Sequence, residues 1–321
     1  MRMLKSLSLV LALVCLCHSA IAQTYPNRPV RLVVPFPAGG PTDIVARIVA
    51  DQLTKTWGQP VVVDNRSGAS GRIGAEFAAK SAADGYTMLM GTLVTNVMAH
   101  LLFSKVPYAQ DGFAPVTLLT TTSNILLANA SIPVATLPEL VAHAKAHPGK
   151  VSYSSAGVGL SGHLGMELFA SAAGLELLHV PFRGSAPATQ AFAAEQVNLT
   201  LELVPSAVTA VQKPGIKPLA VAAAARVRQF PNVPTFAELG YKNVEAYTWN
   251  GLMVPAGTPH EIIDGIQRGA NAALNAPAVR ERINGLGIDS IGGTPEEFAA
   301  LIGRERERWG PIIKRANIRA D

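Results

Sequence analysis

Short apolar, β-branched runs alternate along this chain with longer stretches in which apolar residues recur at helical spacing, and glycine and proline mark most of the boundaries. That alternation predicts an α/β fold. The stretch RLVVPFPAGGPTDIVARIVADQLTKTW, Arg31 to Trp57, shows the unit. Leu32 to Val34 read as a buried strand, Pro35 and Pro37 end it, and Ala38-Gly39-Gly40 lets the backbone turn tightly. Ile44, Val45, Ile48, Val49 and Leu53 then recur at helical spacing, with Thr42 or Asp43 placed to cap the first turn. A helix N-terminus presents unpaired N–H groups and a partial positive charge, so such a bend can hold a carboxylate or phosphate by main chain alone. It is also the ordinary connection of any α/β domain.

The same grammar continues. VVVDN (Val61 to Asn65) reads as a second buried strand, followed by a glycine-rich bend from Ser67 to Gly74 and a helix from about Ile73 to Ser81. Asp84-Gly85 is a turn, and Tyr86 to Thr92 a third strand. Ligands of open α/β sheets lie outside the carboxyl ends of the strands, which makes Thr92 and Thr95 candidate site hydroxyls as well as candidate helix caps. A strand around Thr120 to Ala128 leads into a second lobe, where Thr136 and Glu139 form a capping box for a helix through His147. VSYSSAGVGLSGHLGMELFASAAG repeats strand, glycine-rich bend and helix. Lys217 to Ala222 is another strand, and Thr235 with Glu238 predicts a short helix ended by Gly240. WNGLMVPAGTPHEI is a returning strand leading to a helix at Thr258-Pro259, and a last helix starts at Thr294-Pro295.

The first residues change the setting. Arg2 and Lys5, the apolar run from Leu7 to Cys17, and Ala20-Ile21-Ala22 have the form of a secretory signal peptide, with cleavage expected before Gln23. Both cysteines, Cys15 and Cys17, leave with it, so the expected mature chain has no thiol or disulfide chemistry. Loss of Arg2 and Lys5 leaves 25 basic against 22 acidic residues, a net charge of +3. Those charges are spread along the chain without aromatic interleaving, which argues against nucleic acid. A mature chain of about 299 residues exceeds what one core usually serves, so two α/β lobes are expected.

Candidate chemistry is sparse. His143 and His147 stand four apart, but HAKAH lacks the glutamate of a zinc-protease helix. Gly157, Gly159 and Gly162 spell G-x-G-x-x-G, yet Glu176 opens the following strand instead of closing it, and there is no P-loop lysine. Ser154, Ser155 and Ser161 surround this turn, neutral donors suited to a carboxylate that is later released. GLSGH is not a nucleophile elbow, because His163 replaces the final glycine. Glu202 lies inside an apolar stretch, where a charge is costly unless paired, for example with Arg183, or used on a ligand cation. A non-catalytic receptor and an exported α/β enzyme using the Gly157–Gly162 bend or the Ser161–His163 region both remain open. No activated nucleophile, carboxylate pair or metal set favours the enzyme, and no cofactor is expected. Valine at Gly40 or Gly157 is expected to abolish anion binding.

PVRLVVPFPAGGPTDIVAR, VDNRSGASGRIGAEFAAKSAADGYTMLMGT, YSSAGVGLSGHLGMEL, VPFRGSAPA and WNGLMVPAGTP together resemble the tripartite tricarboxylate transporter solute receptors, the Bordetella uptake gene family. The resemblance implies a monomeric periplasmic Venus-flytrap protein with a mostly parallel sheet in each lobe. One lobe would hold residues 23–122 and 247–321, the other 123–246. It implies a small carboxylate gripped by Phe36, Ala38, Gly40, Thr42 and Asp43 from one lobe and by Ser154, Ser155, Gly157, Gly159 and Ser161 from the other. Delivery to a two-component integral membrane permease would follow. Leu160, Thr200, Glu202 and Leu203 depart from the family's pattern and bear on which ligand is bound.

Overall fold

The computed structural model describes residues 25–315 and 318–320; the expected signal peptide and its cleavage site lie outside them. In chain order the first part comprises β1 (Val30–Val34), α1 (Pro41–Trp57), β2 (Val61–Asn65), α2 (Arg72–Ala79), β3 (Thr87–Thr92), α3 (Ala99–Leu102) and β4 (Phe113–Ala128). Next come α4 (Leu137–Ala146), β5 (Ser152–Ser155), α5 (Ser161–Ala173), β6 (Leu178–Pro181), α6 (Ser185–Ala193), β7 (Leu199–Leu203), α7 (Val204–Ala210) and β8 (Lys217–Ala222). The chain returns through β9 (Tyr247–Pro255), α8 (His260–Asn275), α9 (Pro277–Gly285), β10 (Asp289–Ser290) and α10 (Pro295–Arg315).

Two sheets share one long strand. β4 pairs with β9 from Phe113 to Ser123, then with β7 and β8 from Asn124 to Ala128. The first sheet runs β2-β1-β3-β9-β4, with β10 on the far side of β4, and the second runs β4-β7-β5-β6. β1 is parallel to β2 and β3, and β5 to β6 and β7, as strand–helix–strand units require. The pairings made by β4 and β9 with each other and with β3, β7, β8 and β10 are antiparallel. Each sheet is therefore mixed, not mostly parallel. The cause is connectivity: β4 leaves one lobe, β9 comes back beside it, and neighbours running in opposite senses pair antiparallel.

Helices cover both faces of both sheets. On the first, α1, α8 and α9 bury Val45, Ile48, Leu53, Ile266 and Ile283 against Leu32, Val34, Met88 and Leu252, while α2 and α10 pack Ala75, Phe298 and Trp309 against Val33, Leu89 and Trp249. On the second, Met166 and Phe169 of α5 meet Leu126 and Tyr153, and Phe192 and Ala207 meet Ile125 and Leu127 on the other side. Each fully buried aliphatic side chain contributes about 1.5–3 kcal/mol. No helix among the described residues is long and apolar enough to cross a membrane.

Several elements differ from the sequence reading. β2 is an edge strand, with Val62 53% exposed, and is only partly buried. Thr235 and Glu238 do exchange capping bonds, Glu238 N–H to Thr235 Oγ1 at 3.1 Å and Thr235 N–H to Glu238 Oε2 at 2.6 Å, yet only a turn follows before Gly240 at φ 90°. The short helices α7 and α9 and a π-helical turn at Val94–Met98 carry too few residues for their periodicity to stand out.

Candidate ligand-binding site

At the carboxyl end of β1 the chain turns through Gly39, whose φ of 84° is a conformation that favours glycine. Gly40 is the N-cap of α1, at φ −77° and ψ 166°, and makes no side-chain cap. The capping expected of Thr42 or Asp43 takes another form. Asp43, in the first turn of α1 and 2% exposed, reaches back to accept the Gly39 N–H through Oδ2 at 2.8 Å. The same oxygen takes Arg47 Nε at 2.9 Å, and Oδ1 takes Asn65 Nδ2 at 2.9 Å, while Asn65 Nδ2 also donates to Phe36 O at 3.1 Å. Burial alone would raise the Asp43 carboxyl, but the bonds from Arg47, Gly39 and Asn65 outweigh it and hold it below the usual carboxylate range. Asp43 is an anion whose oxygens are engaged by Gly39, Arg47 and Asn65, which fixes the turn. Ala38 is exposed, and Phe36, Gly40 and Thr42 are half-buried.

The turn after β5 has nearly the same backbone. Gly159 has φ 78°, Leu160 is the N-cap of α5 at φ −77° and ψ 163°, and Leu164 N–H meets Leu160 O at 3.0 Å, as Ile44 N–H meets Gly40 O at 3.0 Å. The latch is repeated with different chemistry: Gly159 N–H donates to His163 Nδ1 at 3.0 Å. The glycine motif is explained by this packing. Gly157 and Gly159 make the turn, and Gly162 lets α5 approach β7, where a Cβ would stand 2.5 Å from Leu201 O.

Behind this turn lies a column of rings. Tyr153 and His179 are register partners on β5 and β6 and stack with centroids 4.8 Å apart. His179 stacks on His163 at 4.1 Å, and Tyr153 Oη donates to Glu167 Oε1 at 2.7 Å. Burial pushes the His163 imidazole down to about 4, and burial together with neighbouring His163 does the same for His179. His179 Nε2 lies 2.6 Å from Ser155 Oγ, which also meets Gly157 O at 3.2 Å and Gly157 N–H at 3.3 Å. Ser155, 3% exposed, is therefore already engaged. A serine on an imidazole is the first link of a hydrolytic triad, but a triad also needs an orienting carboxylate and a base titrating near neutrality. Glu167 is bonded to Tyr153 instead, and the imidazole is held far too low. Ser161 opens α5 and is half-buried.

Both turns border the Val94–Leu102 segment. A Cβ on Gly71 would stand 2.8 Å from Thr95 Cγ2 and 3.4 Å from Phe36 Cζ, and one on Gly159 would collide with Leu102 Cδ1. Thr92 and Thr95 cap each other, with Thr92 N–H to Thr95 Oγ1 at 3.0 Å and Thr95 N–H to Thr92 Oγ1 at 3.3 Å, the structural role expected as their alternative. Ser154 is fully buried and its Oγ has no partner among the described residues; strand alternation turns it away from the ring column. Glu202 is buried, but not with Arg183: it accepts Thr189 Oγ1 at 2.8 Å and Leu203 N–H at 3.0 Å. Burial raises its carboxyl, and those two bonds only partly offset the effect. The glycine constraints also shift. Gly40 has an ordinary backbone angle, so in the first turn the conformational demand falls on Gly39, while in the second it falls on Gly157, as expected, and on Gly159, at φ 150° and 78°.

An open cleft of about 560 Å³ lies at the opposite, N-terminal ends of β1 and β3, beside Arg28, Arg31, Phe77 and Tyr86. Arg28 there is paired with Asp84 at 2.9 Å and stacked over Tyr86. Strand geometry favours the carboxyl ends of β1 and β5 for a ligand, where α1 and α5 begin.

A family model described as "Tripartite tricarboxylate transporter family receptor" matches residues 45–318. Protein BugT of Bordetella pertussis is 35% identical over 315 residues, covering 98% of this chain and 97% of BugT. Among solved structures, Rpa4515 of R. palustris with adipate is 35% identical with a TM-score of 0.86, over 92% of this chain and 99% of that one. MatC of Rhodopseudomonas palustris with bound malate is 34% identical with a TM-score of 0.81, over 90% and 100%.

Proposed function

The chain belongs to the tripartite tricarboxylate transporter receptor family, and from that membership we propose that it is a periplasmic receptor for a small organic carboxylate. Residues 23–122 with 247–321 form one lobe and 123–246 the other, each contributing one glycine turn to the grip. The ligand is handed to a two-component integral membrane permease, and the mature protein, beginning at Gln23, works as a monomer without a cofactor. The observation that carries this reading is the pair of matching turns, each placing a helix N-terminus at the carboxyl end of a parallel strand. Neither turn, Phe36 to Asp43 or Ser154 to His163, contains Lys or Arg, so main-chain N–H groups and two helix dipoles meet the negative charge. Relatives with adipate and malate favour a dicarboxylate.

A thermal-shift screen across mono- and dicarboxylates tests the class, because a ligand that binds only the folded state raises the melting temperature. Adipate, malate or a close analogue is expected to raise it in proportion to the logarithm of concentration. No response to any carboxylate, alongside a nucleotide retained in native mass spectrometry, would overturn the receptor reading in favour of a cofactor enzyme.

A further inference from the structure

We propose that His163 is a positioning residue for the second cradle, an uncharged latch whose Nδ1 holds the Gly159 N–H and so sets the turn that presents α5 to the ligand. The proposal rests on the binding role of that turn, but its geometry stands apart from any ligand. The two cradles share their backbone angles, the N-cap position and an i to i+4 bond from a left-handed glycine to a side chain one turn into the helix. In the first cradle the acceptor is the Asp43 carboxylate, compensated by Arg47 at 2.9 Å. In the second it is an imidazole.

That exchange has a consequence for the ligand and one for the latch. A neutral acceptor places no anion beneath the second turn, so this side of the grip does not oppose a ligand carboxylate. An imidazole accepts at Nδ1 only while that nitrogen is unprotonated, which requires the Nε2–H tautomer. That tautomer leaves the Nε2–H on the side of Glu167 Oε1, 4.0 Å away and beyond hydrogen-bond range. The groups facing His163 are Glu167 on its own helix, His179 on β6 and, through His179, Tyr153 on β5. Burial keeps the His163 ring neutral, and the stacked His179 is itself held low by burial and by His163. Protonation would replace the acceptor with a second donor facing the Gly159 N–H, and the latch would open.

The experiment uses the mature chain labelled with ¹⁵N and the variants His163→Asn, whose Oδ1 occupies the place of Nδ1, and His163→Leu. In the wild type without ligand, a ¹⁵N–¹⁵N coupling across the hydrogen bond between the Gly159 amide and His163 Nδ1 is expected at pH 7. It should disappear as pH falls through about 4. Amide exchange at Gly159 should stay slow in His163→Asn and rise about tenfold or more in His163→Leu, the loss of one ordinary hydrogen bond. Calorimetry with adipate should show His163→Asn close to the wild type and His163→Leu about tenfold weaker, with unchanged circular dichroism. Absence of the coupling at pH 7, or equal Gly159 protection in His163→Leu, would overturn the latch whether or not adipate binds. Failure of the wild type to bind adipate or any other dicarboxylate, with the coupling present, would instead count against the ligand reading.

Discussion

Single polar residues in this protein mostly hold the two glycine turns in shape, which in the proposed reading leaves the main chain to meet the ligand. Asp43, Asn65, His163, His179 and Ser155 all spend their polar atoms on loop or neighbour. Their titration has a sign that can be measured. His163 and His179 fall from an ordinary 6.5 to about 4 in the folded state, so the unfolded chain takes up protons first as the solution is acidified. Stability is therefore unaffected above about pH 6.5 by these two rings, falls between 6.5 and 4, and levels off below. Asp43, held low, adds a loss only below its unfolded value of 3.8, while Glu202, held high, works in the opposite sense, disfavouring the fold as pH rises past 4.5. Urea denaturation from pH 8 to pH 4 should accordingly show a steeper acid loss in the wild type than in His163→Asn/His179→Phe, because Glu202 is common to both. Parallel curves would mean that the imidazoles titrate normally. The glycines and serines of both turns were legible in the sequence because turn chemistry is local. The ring column was not, because Tyr153 meets His179 only through the register of β5 on β6, which no local pattern specifies.

Elements divide the same way. The strands Val61–Asn65 and Lys217–Ala222 and the helix after the first turn stand where apolar periodicity places them, and the capping bond at Thr136 forms; Thr294 makes a similar bond with Glu297 where the last helix starts. The mixed character of the sheets was not legible. It arises where β4 and β9 pair across the crossover, a contact between segments far apart in sequence. The second turn is likewise packed against a distant element, since Leu102 of α3 leaves no room for a Cβ on Gly159. Gly159→Ala should therefore suffer twice, from the φ of 78° and from the collision. We expect a loss of about 2–4 kcal/mol in denaturant unfolding, within the usual range for strain and overpacking together. Adding Leu102→Ala to that background should recover part of the loss, the overpacking share, even though Leu102→Ala alone destabilises. Strict additivity of the two changes would show that Leu102 and Gly159 do not press on each other.

At the scale of the molecule, two α/β lobes are joined by paired crossover strands, and each carries a glycine turn and a helix N-terminus. Relatives with adipate and malate share this fold over about nine-tenths of the chain. The alternation of strands and helices, the chain length and the two glycine-rich turns made that plan readable from sequence, whereas the ligand's identity depends on side chains such as Glu202, whose partners lie on other elements. If main-chain N–H groups of both turns meet one carboxylate ligand, the amides of both turns must respond to it together. The most direct measurement is a ¹⁵N–¹H titration of the mature protein with the dicarboxylate that gives the largest thermal shift. The largest amide changes are expected to fall together in residues 36–43 and 154–161, saturating with one affinity. Changes confined to one turn, or centred on the cleft at Arg28, Phe77 and Tyr86, would contradict it.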